Sequence, residues 1–600
     1  MPKTALTCIS TKLKSDPTVR SLKGRPMSRF VALVLAALVA LAPASAASSG
    51  DAAYSALAHR YFYEGFALRP VDATGAGVHG YDDRLGSFGA ADFAAHLQRD
   101  RDYLRELDGI DPATLSPEVA LDRQLLQNSL NDDLLIDGTM ERWRHDPDRY
   151  VGIASGGIFG LASRAFAPAP KRLGYVIARE LAIAGLLAQA EANLTSVDAI
   201  TAKLADADAL GAADFLRQDV PLAFAGVGDV ATRARFKRST QVAVAAVRAY
   251  AAWLERGPMK HPRGTFAIGA ANYSARLKYE ESLEMPLDKY LAVGEAALAG
   301  TRAQFIATAR LIDPKKSPEA VVASLQLKHA TASGLLGAAE HDLIALRSFI
   351  KKQHLLTLPA DADIMVEDTP AFERQTSFAS MDAPGPLETV ATKAFFNVTP
   401  VDPKWSAEQQ SQFLGFLNDD NLPIIAAHEV YPGHYVNYTI DKHLHLSLTR
   451  MLLGSSSFAE GWAHYDEQMM VDAGLGGGDP RVRLAQLSLA LLRECRFVVG
   501  VREHTQGMTV AQATEFFMKN GFMSREPASH EALRGTQDPT YGYYTLGKLE
   551  ILKLRRDLRA KWGAGYSLQR FHDTLLAHGD PPIPLLRPML LGNSDDGAVL

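Results

Sequence analysis

Two cysteines in 600 residues, Cys8 and Cys495, are too few for a disulfide framework. Neither sign of charge dominates. With 63 basic residues against 68 acidic ones and a net charge of −5, there is no electrostatic reason to expect nucleic acid or an anionic membrane as a partner. Internal repeats, heptad runs and long low-complexity linkers are missing, which excludes solenoids, coiled coils and flexible strings of modules. The uninterrupted apolar run from Phe30 to Ala42 is too short to anchor the chain across a bilayer.

That run has the form of an export signal. Lys23, Arg25 and Arg29 supply a positive region before it, and Ala44-Ser45-Ala46 after it has the small-x-small form of a cleavage site. Counted from Met1 the leader is 46 residues, and counted from Met27 it is 20. Leaders usually run roughly 15–30 residues, so translation is expected to start at Met27. The mature chain is then periplasmic or secreted, without a stable membrane anchor, and keeps one thiol. Cys495 lies in the helical pattern Leu491-Leu492-Arg493-Glu494-Cys495-Arg496 and reads as a core residue.

A composition of 47% hydrophobic and 22% charged residues is that of a globular protein large enough to divide into lobes. Apolar residues recur at helical spacing, as in Leu181, Ile183, Leu186, Leu187 and Ala190. Asp479-Pro480 predicts a helix start, with the helix running to about His504 before Gly507. Thr509-Val510-Ala511-Gln512 is a capping box for the next helix, which Asn520-Gly521 should close. Between about His354 and Pro400 the pattern breaks. Five prolines and the β-favouring pieces Ile364-Met365-Val366 and Phe395-Phe396-Asn397-Val398 predict short strands and loops there. The expected architecture is mainly α, with two lobes, a small sheet near the middle and an interlobe cleft as the place for a ligand. The expected divisions are a signal region 1–46, a helical lobe 47–360 and a catalytic lobe 361–600.

The strongest chemical signal is His428-Glu429-Val430-Tyr431-Pro432-Gly433-His434. Zinc takes imidazole nitrogen and carboxylate oxygen, and a catalytic site uses three protein ligands with a position left for water. A glutamate beside the first ligand can then act as general base. The spacing needs explaining, because six residues along a helix turn about 600° and rise about 9 Å. Pro432 cannot bond the carbonyl of His428 and disfavours helical geometry at Tyr431, and Gly433 tolerates backbone angles, positive φ included, that could bring the chain back. A chance match to this spacing is expected roughly 0.03 times, so context has to decide.

Context supplies a third ligand in Ser457-Phe458-Ala459-Glu460-Gly461-Trp462-Ala463-His464-Tyr465. Glu460 stands near a helix start after the potential caps Ser455, Ser456 and Ser457. Its apolar neighbours suggest burial, where a carboxylate needs a metal or a charge partner. His464, one turn on, is placed to hold or tune Glu460.

His-Glu-x-x-Pro-Gly-His followed by Glu-Gly-Trp-Ala-x-Tyr resembles the bacterial family called domain of unknown function 885, itself similar to gluzincin metallopeptidases. The resemblance is close over the C-terminal third and extends more loosely through Arg496-Phe497-Val498-Val499, His504, Gly507 and Tyr544-Thr545-Leu546-Gly547-Lys548-Leu549. It implies a mostly helical fold, one zinc at His428, His434 and Glu460, and Glu429 as base. The chain departs from the family at Tyr435, where a second histidine is common, at Gly500, where an acid is common, and at Thr540-Tyr541, where Gln-Ala is usual.

Other residues have two readings each. Tyr544 and His504 are candidate donors to a developing oxyanion, or else packed core side chains. Arg496 either binds a substrate carboxylate, with Tyr541 beside it, or pairs with Glu494 or Glu503. His443 and His445 read as surface residues. The expected function is zinc-dependent hydrolysis of peptide bonds, with a peptide as partner. The alternative is a non-catalytic zinc or peptide-binding protein. A di-iron bundle would require paired Glu-x-x-His segments, which the sequence around this site lacks.

Overall fold

The structure, a computed structural model, describes residues 49–360, 364–369, 374 and 378–600. The expected leader lies outside the described residues. Among the described residues the chain is mainly helical, with one small sheet, as the apolar periodicity predicts.

Local chemistry sets the helix ends. Asp479 caps the helix Pro480–Thr505 by accepting from the Arg481 N–H, and Thr509 and Gln512 form the capping box of Val510–Gly521. At the far end of that second helix the left-handed residue is Phe522, with φ 55°, and not the glycine before it. Ser455 caps the helix Ser456–Asp472 by accepting from the Phe458 N–H, so Glu460 falls in its second turn.

The sheet has three strands, β1 (Met365–Asp368), β2 (Ala379–Asp382) and β3 (Phe395–Val398), in the order β1-β3-β2. β1 runs parallel to β3 and β2 runs antiparallel to it, with Met381 opposite Phe396. The sequence predicts β1 and β3 from their β-branched and aromatic residues. Ala379-Ser380-Met381-Asp382 carries no such signal, and its strand comes from pairing with β3.

Buried apolar side chains gather in separate cores. One lies among the helices Asp148–Ser163, Ala169–Asn193, Ala199–Ala223 and Val230–Arg256. Another joins the helices Ala270–Glu281 and Leu287–Ile312 to Pro480–Thr505 and contains Cys495. A third combines the helix Leu335–Gln353, the sheet, the helix Ser456–Asp472 and the helix Tyr543–Trp562. In the last of these, Ser456–Asp472 and Tyr543–Trp562 meet at Gly461 and Gly547. A Cβ on Gly461 would stand 2.5 Å from the Gly547 Cα, and one on Gly547 would stand 1.6 Å from the Ser457 carbonyl oxygen. Only backbones without side chains approach so closely, and the crossing fixes the helix that presents Glu460.

Candidate metal centre

The helix Leu422–Glu429 ends immediately after His428, and the helix His434–His443 begins with His434. Between them the chain doubles back. The N–H groups of Val430 and Tyr431 both donate to the Ala426 carbonyl, and that of Gly433 donates to the Ala427 carbonyl at 3.0 Å. Gly433 is thereby tied to the residue before His428, which places His434 next to His428 despite the six-residue spacing. The Tyr431–Pro432 peptide is cis, and the Pro432 carbonyl accepts from the buried Trp462 indole at 3.1 Å. Gly433 is needed for a reason other than positive φ. Its φ is −65°, but a Cβ there would stand 1.7 Å from the His428 carbonyl oxygen.

His428, His434 and Glu460 converge. The Nε2 atoms of both histidines lie 3.4 Å from Glu460 Oε2, and the imidazole planes stand at 86°. Ligand atoms about 2.1 Å from a tetrahedral zinc are themselves about 3.4 Å apart, so the donor set fits such an ion in both chemistry and spacing. Glu460 Oε2 is buried and has no hydrogen-bond partner among the described residues, which is also what a ligand atom requires. Among those residues, this is the one group of three or more His, Cys, Asp or Glu side chains with ligand atoms within 4.8 Å of one another. Burial opposes ionisation of Glu460, but the imidazoles of His434 and His428 outweigh it and hold its carboxyl well below the usual carboxylate range.

The support behind His428 is Glu467. Its Oε1 accepts from His428 Nδ1 at 2.9 Å and forms an ion pair with Arg493 Nη2 at 3.0 Å. This orients the ring so that Nε2 points at the ligand position. Burial and Arg493 oppose a proton on His428, but Glu460 and Glu467 prevail and push its pKa up to about 9. His464, expected to hold Glu460, instead turns Nδ1 to Glu467 Oε2 at 3.2 Å and acts on His428 through that carboxylate. Burial pushes the His464 pKa down to about 3, so the ring is neutral. Sequence reasoning missed Glu467, although it stands seven residues after Glu460, two helical turns along one face. Arg493 and Met381 left no comparable signal.

Glu429 is held from the sheet. The Met381 N–H of β2 donates to Glu429 Oε2 at 3.0 Å. Oε1 makes no hydrogen bond among the described residues. The remaining candidates fall into two groups. Tyr544 lies under the guanidinium groups of Arg493 and Arg496, at 5.4 and 5.1 Å, and its hydroxyl accepts from Arg534 at 3.4 Å. His504 is buried, with Nε2 on the Gly535 carbonyl at 2.7 Å and Nδ1 accepting from the Ile268 N–H at 3.4 Å, so the backbone engages both nitrogens. Arg496 pairs bidentately with Glu531, at 2.7 and 2.8 Å, and not with Glu494 or Glu503. Tyr541 is fully enclosed against Gly500 and Gly535.

Residues 70–590 match the model of a family described as bacterial protein of unknown function (DUF885). Two solved structures are similar over nearly the whole chain. One is described as a "putative lipoprotein of unknown function" from Shewanella oneidensis, with 24% identity, a TM-score of 0.77, and coverage of 90% of this chain and 99% of that one. The other, a "putative lipoprotein" from Colwellia psychrerythraea, has 16% identity, a TM-score of 0.76, and coverage of 91% and 100%. At these identities the likeness shows the fold. No curated protein matches the sequence.

Proposed function

The chain belongs to the bacterial family of unknown function DUF885, and on the chemistry of its three-ligand site we propose that it is an exported zinc-dependent peptidase. The observation that carries this reading is the pairing of a His-His-Glu donor set with a glutamate that is not one of the donors. Metal binding alone has no use for Glu429.

When bound, a zinc ion would polarise a carbonyl and acidify water. His428 and His434 offer Nε2 as ligands, and Glu460 offers Oε2. Met381 fixes one oxygen of Glu429, leaving Oε1 to take a proton from an attacking water and pass it to the leaving nitrogen. The Tyr544 hydroxyl is the candidate donor to the developing oxyanion, since backbone contacts engage both nitrogens of His504. In this reading the peptide lies in a cleft over the metal site, although the expected division at residue 360 is not a division of the core, since Leu335–Gln353 packs with the sheet and Leu287–Ile312 with Pro480–Thr505. Export is supported by the basic, apolar and small-residue segments before residue 47 and by the lipoprotein descriptions of the two structural relatives.

Glu429→Gln tests the assignment. It should keep one zinc per chain and the wild-type fold while losing at least a hundredfold in turnover of a peptide mixture. Loss of zinc would show that Glu429 is a ligand. Zinc binding without turnover in the wild type would favour a non-catalytic binding protein.

A further inference from the structure

We propose that a concavity walled by Tyr61, Phe62 and Phe66 and charged by Arg69, Asp72 and Asp133 is a second binding site, which takes an organic ammonium group carried on an apolar body. The cavity holds about 360 Å³, within the range of small-molecule sites. Its walls join the first two helices among the described residues, Ser49–Leu68 and Pro70–Ala76, to Pro386 in the β2–β3 connection and to Leu452 and Leu453.

The charges at its lining are not balanced. Asp72, Asp100 and Asp133 face Arg69 and Arg99, three carboxylates against two guanidinium groups. Arg69 is 3.5 Å from Asp133, and Arg99 is 3.3 Å from Asp100 while stacking on Tyr61 and Tyr103. Burial raises the Asp100 pKa to about 6, which leaves it ionised at neutral pH, and Arg149, which also acts on Asp72, is engaged by Asp137 at 2.5 and 2.9 Å, so Asp72 has no hydrogen bond among the described residues. Asp72 is an exposed residue, yet the walls around its carboxyl still desolvate it and raise its pKa. His96 does not cancel the surplus, because burial and Arg69 lower its pKa and keep it neutral. The helix Pro117–Asp133 widens into a π-helical segment, Leu134–Thr139, directly after Asp133, a distortion that recurs at functional sites. An ammonium group meets Asp72, and the parts of Phe62, Phe66, Leu452 and Leu453 that line the cavity take its apolar body.

The place of the cavity names the source of the ammonium, and this step rests on the peptidase reading. Leu453 precedes Glu460 by three extended and four helical residues, a reach of at most about 17 Å between Cα atoms. An extended peptide covers that distance in about five residues. On this reading the ammonium is the free amino terminus, or a lysine side chain, of the peptide whose scissile bond lies at the metal.

Calorimetric titration of the full chain in chelator tests the site without relying on turnover. The probes are L-phenylalanine amide, its Nα-acetyl derivative and Nα-acetyl-L-lysine amide. Saturable binding of the first and not the second assigns the amino terminus, and saturable binding of the third assigns the lysine side chain. Asp72→Asn should raise Kd at least tenfold. Gly75→Leu should abolish binding by filling the cavity, since a Cβ on Gly75 meets nothing within 4 Å. No saturable binding of either ammonium, or wild-type affinity in either variant, overturns the proposal. Binding that persists in Glu429→Gln while peptide turnover is absent from the wild type would leave this site standing and remove the peptidase reading.

Discussion

Glu467→Gln isolates the support behind the metal site, because it changes the charge of one buried residue and hardly its shape. The Glu467 carboxylate accepts from His428 Nδ1 at 2.9 Å and from His464 Nδ1 at 3.2 Å, and pairs with the Arg493 guanidinium at 3.0 Å. Removing its charge weakens the hold on the His428 tautomer and leaves the Arg493 guanidinium, 3.4 Å from His428 Nδ1, without its counter-ion. Losing an outer partner of a metal-bound histidine costs roughly 10–100-fold in metal affinity, or about 1.4–2.7 kcal/mol. Breaking a buried ion pair from one side costs about 3–5 kcal/mol of stability, so the fold has to be followed separately. Zinc affinity is read by competition with a fluorescent chelator, and the folded fraction by urea denaturation of the same sample. The expected result is a folded protein with lower urea tolerance and a Kd for zinc raised at least tenfold. Wild-type zinc affinity in a folded Glu467→Gln protein would refute the argument that Glu467 orients His428.

Other perturbations reach different parts of the account. Gly433→Ala should lose zinc while retaining most helical circular dichroism, because its Cβ would fall 1.7 Å from the His428 carbonyl oxygen and push the two ligand helices apart; unchanged zinc content would show that the turn has room. Gly547→Ala should destabilise the protein by about 1–3 kcal/mol or more in urea denaturation, through overpacking against Ser457 and Gly461. A wild-type midpoint there would contradict the close crossing. His79 bridges Asp82 at 3.1 Å and Glu388 at 2.8 Å; burial opposes its protonation, but the two carboxylates outweigh it and raise its pKa above 6.5. A raised histidine pKa gives stability that is fully present below the unfolded value and is lost as pH rises through the folded one. The urea-midpoint difference between wild type and His79→Gln should therefore be largest near about pH 6 and shrink by about pH 9, and a difference that grows with pH would reverse the assignment.

Features written locally in the chain were legible from it. The helix starts at Asp479-Pro480 and Thr509 were, because capping acts within four residues. So was the group formed by His428, His434 and Glu460, because the two histidines lie in one short segment and Glu460 in a helix opened by serines. The contacts that tune those donors depend on rotation and register between elements. His464 lies one turn from Glu460, but its ring faces Glu467, and spacing alone does not distinguish the two. Met381 reaches Glu429 only because β2 pairs with β3 in one register, and the sequence of β2 gives no sign of a strand. Arg496 had several acids within reach in the sequence, and the one it pairs with lies 35 residues away on another helix. Gly433 reads as a glycine chosen for its backbone angles, whereas the constraint is the His428 carbonyl oxygen, five residues earlier in the chain.

Peptidase activity is read by digesting a mixed peptide library with the zinc-loaded protein and following new termini by mass spectrometry, in parallel with chelated protein and with Glu429→Gln. Cleavage is expected from the zinc-loaded wild type alone. Cleavage that survives the chelator or the Glu429→Gln substitution, or an intact library in every arm, would contradict the peptidase reading.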